Sequence, residues 1–267
     1  MGKNSLVQVK YSINPWMNIR GQVDKKEALN QWDMLRKTIE SLGAEVLVME
    51  PDADGADYYP DLVFTANAAV VRDKRAYIST FSYPERMGES FFYDVWFKKN
   101  GYTTYMDKTV QFEGAGDALW LGEDRTKIFC GIGPRTNSRA LQKMKKFLGN
   151  DENWLKAYGI RLIDPRFYHI DTCFCPLTDG LALYYPDAFD DVSRYNMSNE
   201  IELVPVSEPD AIRFACNAVV IGSNVIMNEG AEETARQLER LGYKTHFVNM
   251  SEFMKSGGST KCCTLTL

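Results

Sequence analysis

Histidine is nearly absent from this 267-residue chain, which has only His169 and His246. The six cysteines, at positions 130, 173, 175, 216, 262 and 263, include no CxxC pair. These two shortages argue against a zinc site built from Cys and His. No apolar run approaches the roughly 20 residues that span a bilayer. The opening MGKNSLVQVKYSI lacks the apolar core of a secretory signal. Leu6 stands where the N-myristoylation pattern takes Ser or Thr, so Gly2 is not read as a lipid anchor. Without a secretory signal, reduced thiols in a cytoplasmic protein are expected, most of them acting as small buried hydrophobes. An excess of one charge sign is missing too. The net charge of −5 gives no electrostatic reason for a nucleic-acid or membrane partner. Hydrophobic residues make up 45% and charged residues 25%, enough for a sizeable core. No low-complexity linker or charge run divides the chain, so residues 1–267 are read as one domain.

What the chain does have is an internal repeat. Five segments share one order: an opening strand, led by glycine in all but the fourth, a loop, then two further apolar strands around a short turn. They are LGAEVLVME with DLVFTANAAVVRDKRAYIST, NGYTTYMD with VQFEGAGDALWLGEDRTKIFCGI, and YGIRLIDPRFYHIDTCFCPLTDGLALYYP, then IELVPVSEPDAIRFACNAVVIGSNVIMN and LGYKTHFVNMSEFMKSGGSTKCCTLTL. Aligning the loops brings Asn67, Glu113, His169, Cys216 and Cys262 to similar places, with spacings of 46, 56, 47 and 46 residues. The runs VFTANAAVV, CFCPL, CNAVVIG and CCTLTL are apolar and β-branched and read as inner strands. KEALNQWDMLRKTIESLG, FYDVWFKKNG, RALQKMKKFLG and GAEETARQLERLG have apolar residues at helical spacing and end at or near glycine. Units that cannot bury their sheets alone would close into a ring with helices outside, an α/β architecture.

In such a ring, equivalent loops meet at one end of the central channel. Asn67, Glu113, His169 with Asp171, and Cys262 then surround one cavity. His246, alternating with apolar residues in KTHFV, reads as structural. His169 lies two residues before Asp171, so strand alternation sends both side chains the same way. A His beside an Asp is commonly only a structural pair, but here the same loop position elsewhere holds an acid, an amide and a thiol. The glycines of SGGSTK allow close backbone approach ahead of Cys262. A Cys–His–carboxylate set suits attack on a guanidinium, a poor electrophile that carboxylates must hold. Glu113 and Asp171 can hold it, Cys262 can attack, and His169 can protonate the leaving amine. Cys263 is the neighbouring structural thiol, expected on the opposite strand face.

The segments NPWM (14–17), VFTANAAVV (63–71), FEGAGDAL (112–119), GPRTN (133–137), HIDTCF (169–174) and GGSTKC (257–262) resemble the guanidino-group-modifying enzymes. That superfamily includes arginine deiminase, dimethylarginine dimethylaminohydrolase, the amidinotransferases and the dihydrolases. The resemblance runs from about residue 7 to the C-terminus. It implies a five-bladed α/β propeller (pentein), matching the repeat, and no metal or organic cofactor. It implies Cys262 as nucleophile, His169 as general acid/base, and Glu113 and Asp171 on the guanidinium. Arg135 and Arg86 would hold the substrate carboxylate through forked hydrogen bonds, with Asn18 as a further contact. Deiminases and dimethylarginine hydrolases usually carry Asp where this chain has Asn67. FTANAA instead resembles the dihydrolases, which remove both terminal nitrogens from arginine or succinylarginine. An amide can donate to a citrulline-like ureido oxygen, whereas a carboxylate cannot. The expected activity is therefore hydrolysis of L-arginine to ornithine, two ammonia and carbon dioxide. Single-step formation of citrulline, amidino transfer and a non-catalytic binding ring are the alternatives. A small guanidino compound is the expected partner. The sequence leaves self-association into a homo-oligomer open.

Overall fold

In the computed structural model, which describes residues 9–50, 55–149 and 155–267, the repeat is visible as four copies of one three-stranded sheet. The first contains β1 (Ala69–Arg72), β2 (Arg75–Ile78) and β3 (Thr103–Tyr105). The second contains β4 (Ala118–Leu121), β5 (Lys127–Ile132) and β6 (Lys156–Arg161). The third contains β7 (Phe174–Pro176), β8 (Leu181–Tyr184) and β9 (Glu202–Pro205). The fourth contains β10 (Val219–Ile221), β11 (Asn224–Asn228) and β12 (Lys244–Val248). In every copy the inner strand runs antiparallel to the middle one, and the middle runs parallel to the outer. A tight hairpin makes the first pairing; Asp73, between β1 and β2, has φ 53°, as such turns require. The parallel pairing needs a crossover, and helices supply it.

Five helices of two turns or more are described: α1 (Lys25–Ser41), α2 (Glu89–Lys99), α3 (Ala140–Leu148), α4 (Asp191–Ser198) and α5 (Glu232–Arg240). The Asp24 carboxylate caps α1 by accepting from the Lys26 and Glu27 amides at 2.9 and 3.0 Å. Ala28, Trp32, Leu35 and Ile39 give α1 a buried stripe, which packs with Val63, Phe64, Ile226 and Val248. The helix α4 has no counterpart among the amphipathic stretches expected from the sequence. Its start signal is Asp190, which accepts from the Ser193 amide at 2.8 Å.

Two expected strands are not strands along their whole length. The first inner run and the residues before it wind through short 3-10 turns, Pro60–Val63 and Thr65–Ala68, and pairing begins at Ala69. CCTLTL forms no ladder with the described residues: Lys261–Cys263 is a turn. Its backbone donors go elsewhere, Cys262 N to the Asn217 side chain and Thr264 N to the Lys261 carbonyl. The fold is an α/β propeller of small mixed sheets with helices outside. Its hairpin end opens into a cavity of about 930 Å³ reaching Gly122, Asp179 and Gly222. Its other end is a narrow crevice of about 10 Å³ lined by Asn67, Arg86, Arg135, Tyr168 and Cys262. The large cavity is not the one with the convergent chemistry.

Candidate active site

A tight turn precedes each inner strand, and the turns gather the polar side chains at the crevice end. Asn67 lies in the turn Thr65–Ala68, Glu113 caps Gly114–Asp117, and His169 precedes Ile170–Thr172, which holds Asp171. Asn217 stands two residues before β10, and Cys262 sits in the last turn. His169 is extended while Asp171 belongs to a 3-10 turn, so their convergence comes from the turn and not from strand alternation. Glycines let these turns approach one another. A Cβ on Gly116 would lie 2.2 Å from Asn67 Nδ2, and one on Gly257 (φ 86°) 2.7 Å from Asn14 Oδ1.

Cys262 is buried, and its sulfur has two polar neighbours. Sγ donates to Asp171 Oδ2 at 3.4 Å, and Asn217 Nδ2 donates to Sγ at 3.1 Å. The Asn217 amide uses all its capacity here: Nδ2 also donates to the Asp171 carbonyl at 2.9 Å, and Oδ1 accepts from Ser259 N and Cys262 N. Burial pushes the Cys262 thiol well up, and the Asp171 carboxylate adds to that push. Asp171 itself is raised to about 7 by burial, against the opposing effects of Lys261, the thiol and Asn217. Two anions this close cannot both form cheaply, so the thiol and carboxylate together carry at most one negative charge. Asp171 Oδ1 is buried and has no hydrogen-bond partner, an acceptor left unused by the described residues.

Glu113 is the second acid. Oε2 accepts from Arg135 Nη1 at 3.1 Å and lies 2.7 Å from His169 Nε2, and Oε1 accepts from Ser82 N at 3.0 Å. Burial alone would raise Glu113, but Arg135 and His169 outweigh it and hold the carboxyl down to about 2. Burial pushes His169 down to about 4 despite Glu113, so the ring is neutral at pH 7. Arg135 also donates to the Ile13 carbonyl at 2.7 Å and lies between the rings of Tyr83 and Tyr168, 4.4 and 4.7 Å away. Asp117 accepts from Thr136 Oγ1 and Ile170 N, pinning the His169 turn to the Arg135 loop.

Asn67 and Arg86 form the third element. Arg86 grips Glu89 with both arms, at 2.8 and 2.7 Å, and donates Nη1 to Asn67 Oδ1 at 2.9 Å. With its oxygen held there, Asn67 turns Nδ2 toward the Glu113 carbonyl, 3.4 Å away. Its hydrogen-bond partners fix that orientation.

The turns thus bring together Asn67, Glu113, His169, Asp171, Arg86, Arg135 and Cys262. Asn18 is not among them: it is exposed and its Oδ1 accepts from Arg20 N, while Asn14 reaches the crevice instead. Both arginines expected to face a carboxylate are turned onto acids of the protein in this structure. Cys216 packs in the core, and its chain neighbour Asn217 takes the site position. The shared wording of ANAAVV and CNAVV is the sequence signal for Asn217. His246 bonds Asn224 Oδ1 on the neighbouring strand, far from the crevice residues. Cys263 is fully buried among α1 and β11 side chains. No group of three His, Cys, Asp or Glu residues is placed to hold a metal among the described residues.

The sequence pattern of the family described as N,N dimethylarginine dimethylhydrolase, eukaryotic, matches residues 8–267. The chain belongs to this guanidino-group-modifying superfamily, and its fold is the five-bladed α/β propeller of that group. It is 40% identical over 266 residues to the bifunctional arginine dihydrolase/ornithine cyclodeaminase ArgZ of Synechocystis sp., covering 96% of this chain and 36% of that protein. The chain therefore spans about a third of that relative's length. It is 38% identical to the N(G),N(G)-dimethylarginine dimethylaminohydrolase of Mycobacterium tuberculosis, covering 97% and 82% of the two chains. The N-terminal domain of ArgZ, an arginine dihydrolase from cyanobacteria, has been solved as a cysteine-to-serine mutant bound to substrate. It superposes with a TM-score of 0.91 at 39% identity, covering 99% of this chain and 96% of that one.

Proposed function

We propose that this chain is an arginine dihydrolase, taking L-arginine through a covalent Cys262 thiouronium to ornithine, two ammonia and carbon dioxide. The observation that carries this reading is the orientation of Asn67. Arg86 holds the amide oxygen, so Asn67, which lines the crevice, has its NH₂ as the free group. One of its two hydrogens remains to donate beyond the long contact to the Glu113 carbonyl. A guanidinium asks its neighbours for acceptors, and Asp171 and Glu113 supply them. A ureido oxygen asks for a donor, and Asn67 supplies that. A site with both kinds of partner can hold the substrate of each round.

The chemistry follows from the electrostatics. A guanidinium cation set against Asp171 Oδ1 and Glu113 stabilises negative charge on Cys262, and the thiol gives up its proton, which the neutral His169 accepts. Sulfur adds to the guanidino carbon, His169 returns a proton to one terminal nitrogen, and ammonia leaves. Water then adds to the thiouronium, losing its proton to His169, and the C–S bond breaks to give a ureido group. In the second round Cys262 adds to the ureido carbon, the remaining terminal nitrogen leaves as ammonia, and a thiocarbamate forms. Its hydrolysis gives a carbamate that loses carbon dioxide and leaves ornithine. Two waters are consumed in all. Arg135, released from Glu113, would pair with the α-carboxylate; the crevice is too narrow for an amino acid until the segment of Ile13, Asn14 and Met17 moves aside.

The test is a pair of variants read by amino-acid chromatography. Cys262→Ser should form no product, while Asn67→Asp should release citrulline. Ornithine as the sole product of Asn67→Asp would separate the amide from the second round.

A further inference from the structure

Lys261 is adjacent to the nucleophile yet faces the opposite way. Cys262 lines the crevice, whereas Lys261 lines the large cavity at the hairpin end, with Cys175, Cys216 and Thr264. Among the described residues its ammonium has no hydrogen bond or ion pair. A half-buried cation in a channel wall without a partner is costly, and desolvation there pushes Lys261 below its ordinary range. The charges that act on it are Asp171 first, then Cys262 and Cys175. The Cys262 sulfur lies 3.4 Å from Asp171. Lys261, the adjacent residue in the chain, lines the channel wall behind that pair and acts on Asp171 by charge alone, with no hydrogen bond or ion pair among the described residues.

We propose that Lys261 is a positioning residue for the nucleophile, supplying from the channel side the fixed positive charge that lets the Asp171–Cys262 pair carry its negative charge before substrate arrives. The other groups around that sulfur do not do this. Asn217 is neutral, Tyr168 and Cys263 are held in their neutral forms by burial, and Arg135 and Arg86 are paired with Glu113 and Glu89. A guanidinium substrate brings a second cation from the crevice side, so the thiol would be clamped between two positive charges only when substrate is bound. The inference rests on Cys262 being the nucleophile, but the thiol can be read without turnover.

The experiment follows the rate of Cys262 alkylation by iodoacetamide against pH, with peptide mass spectrometry to assign the site. Lys261→Met should move the midpoint up by at least about one pH unit, so that alkylation below it is about ten-fold slower. Lys261→Arg should return the profile to wild type. If Lys261→Met does not fold, Lys261→Gln is read the same way. An unchanged midpoint in a folded Met or Gln variant overturns the proposal. A shift that Lys261→Arg fails to restore also overturns it, because packing and not charge would then be responsible. Product formation by Cys262→Ser would instead overturn the nucleophile assignment while leaving the alkylation result standing.

Discussion

Arg135 Nη1 donates to the same oxygen of Glu113 that meets His169 Nε2, at 3.1 and 2.7 Å. The protein thus places one of its own guanidinium groups on the acid proposed to hold the substrate's. This pairing keeps Glu113 ionised and ties Glu113, His169 and Arg135 into one unit. To serve as a carboxylate anchor Arg135 must exchange one anion for another, which a planar fork between two aromatic rings can do without leaving its slot.

Arg135→Lys keeps the charge and loses the fork. KM for arginine should rise about 10-fold or more, the loss expected for charged hydrogen bonds of about 1.5–3 kcal/mol, with a smaller change in kcat. Agmatine, which lacks the carboxylate, should be a poor substrate for wild type. Steady-state kinetics on both compounds checks this, and equal efficiency on the two would remove the anchor.

His169 makes stability depend on pH. Its folded value, about 4, lies below its ordinary 6.5, so between these values the unfolded chain binds a proton that the native chain refuses. The neutral ring's contribution is therefore fully present above about pH 6.5 and is lost as pH falls toward 4. Tm should drop across that window, and His169→Asn should flatten the drop while slowing turnover by ~10²-fold or more. Thermal melts at several pH values, compared between the two proteins, decide it. Parallel curves would mean that His169 does not titrate as described.

Asn217→Ala removes the clamp on the thiol and strands two amide donors, Ser259 N and Cys262 N. kcat should fall by ~10- to 100-fold, in line with about 1–3 kcal/mol for unsatisfied buried groups. KM should change less, because Asn217 does not line the crevice. Asn217→Asp should not rescue, since a carboxylate would place a second negative charge near Sγ. Wild-type kcat in Asn217→Ala would show the clamp to be incidental.

The repeat was legible because each unit must bury the same faces: hairpin turns and helix-ending glycines mark four sheets and four of the five longer helices. The candidate site was legible where a residue able to do chemistry fell in the repeated loop, as with His169 and Cys262, which the turns do bring to the crevice end. What escaped depended on partners distant in sequence. CCTLTL is β-branched and apolar like a strand, but Asn217, 45 residues earlier, takes the Cys262 amide and holds a turn. Asn217 escaped because the fourth loop was aligned on Cys216, one residue early. Asn18 and Asn14 both offer polar side chains near the start of the chain; only that of Asn14, which donates to the Ser256 carbonyl, packs against the loop before Cys262.

The central claim is two rounds of hydrolysis at one thiol, and the stoichiometry of the wild-type reaction tests it most directly. Arginine should be incubated with enzyme to completion, with no acceptor amine present, and ammonia counted against arginine consumed. The Asn67 amide, its oxygen held by Arg86, predicts two ammonia per arginine, ornithine as the amino-acid product and no accumulation of citrulline. One ammonia per arginine with citrulline as the sole product would contradict the account.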